Sequence, residues 1–194
     1  ADGKQNPVYK VEAGEVVEEE LVEGAPVRGK GIYLLPNALT TASLFSGFYA
    51  IVSAANGVFD NAAIAIFVSM ILDGLDGRVA RMTNTQSKFG AEYDSLSDCV
   101  AFGVAPGLVA YAWALSGLGK FGWVAAFIYV ACAALRLARF NVQAETTDKR
   151  FFIGLPSPTG AGLVATLVWL GASRGIEGAD ISWLVAVVVA GAGL

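Results

Sequence analysis

The stretch "SMILDGLDGRVARM" (69–82) runs out of an apolar segment and sets Asp73, Asp76, Arg78 and Arg81 at its edge. At 3.6 residues per helical turn, Asp73 and Asp76 project from one face of a helix. Carboxylates next to lipid are costly unless they are paired or put to use. Whether the flanking sequence lies in lipid therefore decides both the fold and the purpose of these acids.

The flanks are apolar. Of 194 residues, 55% are hydrophobic and 15% charged, against roughly 45–50% and 25% in soluble domains. The mean hydropathy is +0.58. Apolar segments follow one another at 35–56, 60–82, 90–116, 121–143, 156–173 and 180–194. A crossing helix needs about 20 residues. The last segment has fifteen, so it is cut short, tilted or not a full crossing. An open sheet cannot satisfy its backbone in lipid, so the segments should be helices. The expectation is an all-α, polytopic integral membrane protein with about six transmembrane helices over 33–194.

Helix-start signals support three boundaries: Pro36-Asn37, Asp60-Asn61 and Pro156-Ser157-Pro158. Residues 1–32 are polar and carry Glu12, Glu15, Glu18, Glu19, Glu20 and Glu23, six of the seventeen acids. This reads as a solvated acidic segment, in which 11–24 could form a short surface helix with Val17 and Leu21 one turn apart. The net charge of −4 comes largely from here and does not point to an acidic partner or to nucleic acid. No basic stretch followed by a short apolar core opens the sequence, so no signal peptide is expected.

Lysine and arginine orient the chain. With the N-terminus cytoplasmic, Lys4, Lys10, Arg28, Lys30, Arg78, Arg81, Lys88, Arg136, Arg139, Lys149 and Arg150 lie on the cytoplasmic side, and only Lys120 and Arg174 lie outside. The positive-inside rule favours that orientation. It puts the acids at the cytoplasmic face of the cell membrane.

There is no histidine. Ser-His-Asp and Cys-His catalysis are excluded, as is every zinc site that uses His. Cys99 and Cys132 both fall in apolar segments and read as small apolar fillers. Acid–base or metal chemistry must use carboxylates, amines or hydroxyls.

Carboxylates are available. Asp94 and Asp98 are four residues apart and share a face of the next helix. Thr83 to Ser87 is polar enough to turn the chain, which would make the two helices antiparallel neighbours with facing acid pairs. Four converging carboxylates repel unless a cation neutralises them. An all-oxygen site suits Mg²⁺, Ca²⁺ or Mn²⁺ rather than zinc. Two ions with shared carboxylates would clamp a phosphoryl group. Gly77, Ala80 and Gly90 put minimal side chains on the acidic faces, either for close helix packing or to admit a bulky ligand.

The pattern D-G-x-D-G-x-x-A-R-x8-G-x3-D-x3-D, carried by Asp73, Gly74, Asp76, Gly77, Ala80, Arg81, Gly90, Asp94 and Asp98, resembles the signature of the CDP-alcohol phosphotransferases. The resemblance implies a CDP-linked lipid that donates its phosphatidyl group to an alcohol, with CMP leaving. It implies two divalent ions, Mg²⁺ or Mn²⁺: one on Asp73, Asp76 and Asp94, the other on Asp73, Asp94 and Asp98. Asp98 would also be the general base. Gly77 and Ala80 would line the cytidine pocket, with Arg81 near the diphosphate or bracing the motif. A homodimer is implied as well.

Two further stretches are similar to the serine-using branch of that family. They are "LPNALTTASLFSGFYAI" (35–51) and "LRLARFNVQAETTDKRFFIGLPSPTGAG" (135–162). They imply CDP-diacylglycerol or a related CDP-lipid as donor and L-serine as acceptor. Serine's carboxylate needs a cation, and Arg136 and Arg139 share a helix face; Arg can bind a carboxylate through two parallel hydrogen bonds. Lys149 and Arg150 could do so too, or could anchor the chain at the membrane surface. A phosphate-bearing acceptor, glycerol 3-phosphate or inositol phosphate, would also want these cations. Asn37 and Thr40 could hydrogen-bond the donor, or Asn37 could cap the first helix. Outside this chemistry, the acids could form a divalent-cation transport site. The absence of a second acidic cluster on the other face speaks against that.

Overall fold

The computed structural model describes residues 9–12, 15–18, 34–83, 87–146 and 156–193. The chain divides into two units, Ala1–Lys30 and Gly31–Leu194. In the first unit, strands β1 (Tyr9–Glu12) and β2 (Glu15–Glu18) pair antiparallel, with Val11 opposite Val16 and Lys10 opposite Val17. This corrects the surface helix expected from residue 11 onward. Three β-branched valines in eight strand residues favour a pleated ladder. The remainder of that stretch lies outside the described residues.

The second unit is helical. It comprises α1 (Leu34–Ala55), α2 (Phe59–Met82), α3 (Lys88–Asp98), α4 (Ala105–Ala110), α5 (Lys120–Thr146), α6 (Ser157–Ser173) and α7 (Ser182–Gly193). π-helical turns at Cys99–Val104 and Tyr111–Leu115, with a 3₁₀ turn at Ser116–Leu118, join α3 and α4 into one rod over 88–118. The segments expected from sequence correspond to α1, α2, this rod, α5, α6 and α7. Leu35–Ala55, Phe89–Leu118 and Lys120–Val142 are long and apolar enough to cross a membrane. The 24 residues of α2 would also be long enough, but they carry Asp60, Asp73, Asp76, Arg78 and Arg81.

Two start signals need correction. α1 begins at Leu34, so Asn37 stands inside the first turn and is not its cap. α2 begins at Phe59 after Val58, with Asp60 in the first turn and no side-chain cap. The α6 signal holds: Pro156 precedes the helix and Pro158 lies in its first turn, where a missing N–H costs nothing.

The packing is inverted relative to a soluble protein. The core is small: Ala50, Ala54, Ala62, Ala63, Ala101, Ala105, Ala110, Ala161 and Ala165 are buried. Phe45, Phe48, Ile71, Phe121, Phe127, Trp183 and Val187 are exposed. A continuous apolar exterior of this kind suits lipid, and small residues inside let helices approach closely without a hydrophobic driving force. Buried hydroxyls link the helices. Ser43 and Ser69 lie 2.8 Å apart across α1 and α2, and Ser46 donates to the Ala65 carbonyl at 2.7 Å.

Gly47 marks the tightest approach of α1 to the rod. A Cβ built there would lie 2.8 Å from Ala101 Cα. Since the obstacle is backbone, Gly47→Val should cost about 1–3 kcal/mol and lower the melting temperature in detergent by several degrees. An unchanged melting temperature would mean that α1 can shift at no cost.

Candidate functional site

α2 and α3 make little contact with each other, and each packs on α1. α1 is their common support, and the acid pairs of the two helices face each other across the space between them. Oxygens of Asp73, Asp76 and Asp94 all lie within 4.8 Å of one another. Asp98 joins through Asp73, the two carboxyl groups being within hydrogen-bonding reach. All four expected acids thus converge.

Local structure sets their phase. Ser87 is extended (φ −125°, ψ 154°) and its Oγ accepts from Gly90 N–H at 3.0 Å, which starts α3. Asp94 and Asp98 then follow on one face. The π turn begins at Cys99, directly after Asp98. It re-phases the rod, so that Ala101, Phe102 and Ala105 enter the core. Tyr129 donates to the Phe102 carbonyl at 2.9 Å across this segment.

The unsatisfied atoms of this donor set suit a divalent cation. Asp94 Oδ1 and Asp98 Oδ1 are buried without a hydrogen-bond partner. A buried carboxylate oxygen left in that state costs free energy, and four acids this close add repulsion. A hard divalent ion relieves both, because it accepts several carboxylate oxygens at once. The cluster is therefore able to bind a divalent metal ion.

The other expected residues lie on α1, α2 and α5 or outside the described residues. Thr40 is buried and donates to Asp76 Oδ2 at 2.7 Å, while Asn37 stands beside Gly90, 3.5 Å from where a Cβ would lie. Gly77 is exposed, with nothing within 4 Å of an added Cβ, and Ala80 is half-buried one turn on. Arg81 is exposed and its Nε donates back to the Gly77 carbonyl at 2.9 Å, so it braces its own helix. On α5, Arg136 donates to the Gly193 carbonyl of α7 at 2.6 Å, and Arg139 is exposed. Lys149 and Arg150 lie outside the described residues.

Some residues were not expected. Thr41 and Tyr93 hydroxyls lie 2.8 Å apart, joining α1 to α3. Asn141 Nδ2 donates to Ser95 Oγ at 3.0 Å, tying the end of α5 beside Asp94. Ser97 donates to the Thr40 carbonyl at 3.2 Å. The signal for Ser95 and Ser97 is their place between two acids in D-S-L-S-D. An open depression of about 580 Å³ lies at the other end of α2, lined by Gly57, Asp60, Trp113, Ile176 and Glu177 among others. It contains none of the four aspartates.

With this geometry in place, the comparisons with known proteins are informative. Residues 33–192 match the family described as CDP-alcohol phosphatidyltransferase. The CDP-diacylglycerol–serine O-phosphatidyltransferase of Helicobacter pylori is 48% identical over 139 residues, covering 72% of this chain and 59% of that protein. Proteins of the same name from Mycobacterium tuberculosis and Methanocaldococcus jannaschii are 45% identical over 141 residues and 42% over 130. Those matches cover 69% and 67% of this chain, and 48% and 58% of the relatives. The chain thus spans about half to three fifths of these relatives' lengths. The apolar helices and the family together mark a membrane protein. The acid motif, its convergence across α2 and α3, and the match over 33–192 place this chain in the CDP-alcohol phosphatidyltransferase family.

Proposed function

We propose that this protein transfers the phosphatidyl group of CDP-diacylglycerol, or of a related CDP-lipid, to the hydroxyl of L-serine, giving phosphatidylserine and CMP. The observation that carries the reading is the convergence of Asp73, Asp76 and Asp94, with Asp98 beside them. The names of the relatives supply the acceptor.

Asp73, Asp76, Asp94 and Asp98 would hold two divalent ions, Mg²⁺ or Mn²⁺. Bound there, these neutralise the diphosphate and stabilise the departing CMP. The chain's own residues do the rest. Asp98 takes the proton as the serine hydroxyl oxygen forms its bond to the lipid-bearing phosphorus, and the bond from that phosphorus to the CMP oxygen breaks. Gly77 and Ala80 leave space for the cytidine, and Asn37 lies near enough to α3 to help order the donor. Arg139, with Lys149 and Arg150, supplies positive charge for the serine carboxylate. Arg136, bonded to α7, helps hold that end of α5 in place. The charged ends of α2 and α3 belong at the cytoplasmic membrane surface, where a nucleotide headgroup meets a lipid tail. Six crossings, a cytoplasmic N-terminus and a homodimer complete the reading.

The test is CMP release by purified protein with CDP-diacylglycerol and Mn²⁺, using serine, glycerol 3-phosphate and inositol phosphate in turn. Serine alone should support turnover. CMP release with glycerol 3-phosphate but not serine would move the chain to another branch of the family. Metal flux into liposomes without any turnover would replace the enzyme by a transporter.

A further inference from the structure

α2 and α3 carry the two halves of the acid cluster with few close backbone contacts between them, so their shared support helps to set the separation of the halves. Both lean on α1, and one residue of α1, Thr40, is hydrogen-bonded to both. Thr40 Oγ1 lies 2.7 Å from Asp76 Oδ2 on α2 and 3.1 Å from the Pro36 carbonyl. A hydroxyl has one proton, and the nearer, charged acceptor takes it. From the α3 side, Ser97 Oγ donates to the Thr40 carbonyl at 3.2 Å. Ser97 immediately precedes Asp98 and follows Asp94 by three residues. Thr40, Ser97 and Asp76 are 4%, 1% and 4% exposed, so water does not compete for these bonds.

We propose that Thr40 is a positioning residue that gauges the metal centre and makes no contact with the lipid donor. Its hydroxyl fixes the plane of the Asp76 carboxylate, and its carbonyl fixes the turn of α3 that carries Asp94 and Asp98. One residue of α1 thereby sets the spacing between the two acid pairs. Groups that orient metal ligands in this way typically change metal affinity about 10–100-fold when removed. The inference rests on the metal-centre reading given under Proposed function.

The test is Mn²⁺ binding to the purified protein, followed by the electron paramagnetic resonance signal of free Mn²⁺, with no lipid present. Thr40→Val keeps the shape and loses the hydroxyl, and should weaken Mn²⁺ binding about 10–100-fold. Thr40→Ser restores the hydroxyl and should bind within about threefold of the wild type, well inside that range. Ser97→Ala leaves Thr40 and Asp76 intact and should weaken binding several-fold, which carries the test should Thr40→Val fail to fold. At saturating Mn²⁺, the KM of Thr40→Val for CDP-diacylglycerol should match the wild type. Wild-type Mn²⁺ affinity in Thr40→Val, or a raised donor KM at saturating metal, would overturn the assignment while leaving the metal centre standing. A wild-type protein that binds no Mn²⁺ would overturn the metal-centre reading itself.

Discussion

Asp98→Asn is expected to lower kcat by about 10²–10⁴-fold, the range of a lost general base. Binding of CDP-diacylglycerol should be largely spared. The substitution keeps the side chain's volume, so the packing around the end of α3 should survive. An amide oxygen still accepts a hydrogen bond, but the amide cannot take up a proton at working pH. Asp98 suits the role by position: it is half-buried, its Oδ1 has no hydrogen-bond partner, and it lies beside Asp73 at the edge of the Asp73–Asp76–Asp94 cluster. CMP release gives kcat, and calorimetric titration with a CDP-lipid gives binding. If Asp98→Asn turns over at the wild-type rate, another group removes the proton. If turnover and donor binding fall together, Asp98 acts chiefly through the metal.

The acid cluster was legible in sequence because it depends on helical period alone. Spacings of three and four residues put each pair on one face, and a polar turn brings the pairs to one end. The helical segments were legible because lipid demands long apolar runs. What sequence could not supply was the partner of each face. That α2 and α3 share α1 as their support depends on tertiary contacts, as does the packing of Gly47 against Ala101. No local pattern distinguishes a Thr40 hydroxyl aimed at Asp76 from one aimed at a ligand. Asn37 resembles a helix cap in sequence, yet the helix starts earlier, at Leu34. The acidic N-terminal stretch misled in another way. Its glutamates suit a helix, but the valines among them pair across a hairpin, an example of cross-strand context overriding propensity.

Gly77→Leu should raise the KM for CDP-diacylglycerol about 100-fold, equivalent to about 2.7 kcal/mol of lost donor binding. It should do so without harming the protein. Gly77 is exposed and a Cβ there meets nothing within 4 Å, so the described residues leave room for a larger side chain to start. In a helix, leucine is also favoured over glycine by a few tenths of a kcal/mol up to about 1 kcal/mol. The melting temperature should therefore hold or rise, and Mn²⁺ affinity should stay at the wild-type value, because the carboxylates of Asp73 and Asp76 are untouched. What the leucine fills is the space that we propose for the cytidine. Gly191→Leu is the matched control: it also meets open space, but on α7, away from the acids, and should leave the KM unchanged. Gly90 could not serve as this control, since a Cβ there would press within 3.1 Å of the Ser87 oxygen that caps α3. Unaltered donor KM in Gly77→Leu would place the nucleotide on another side of the metal centre. The glycine would then need a different explanation, since among the described residues nothing lies within 4 Å of a Cβ at that position.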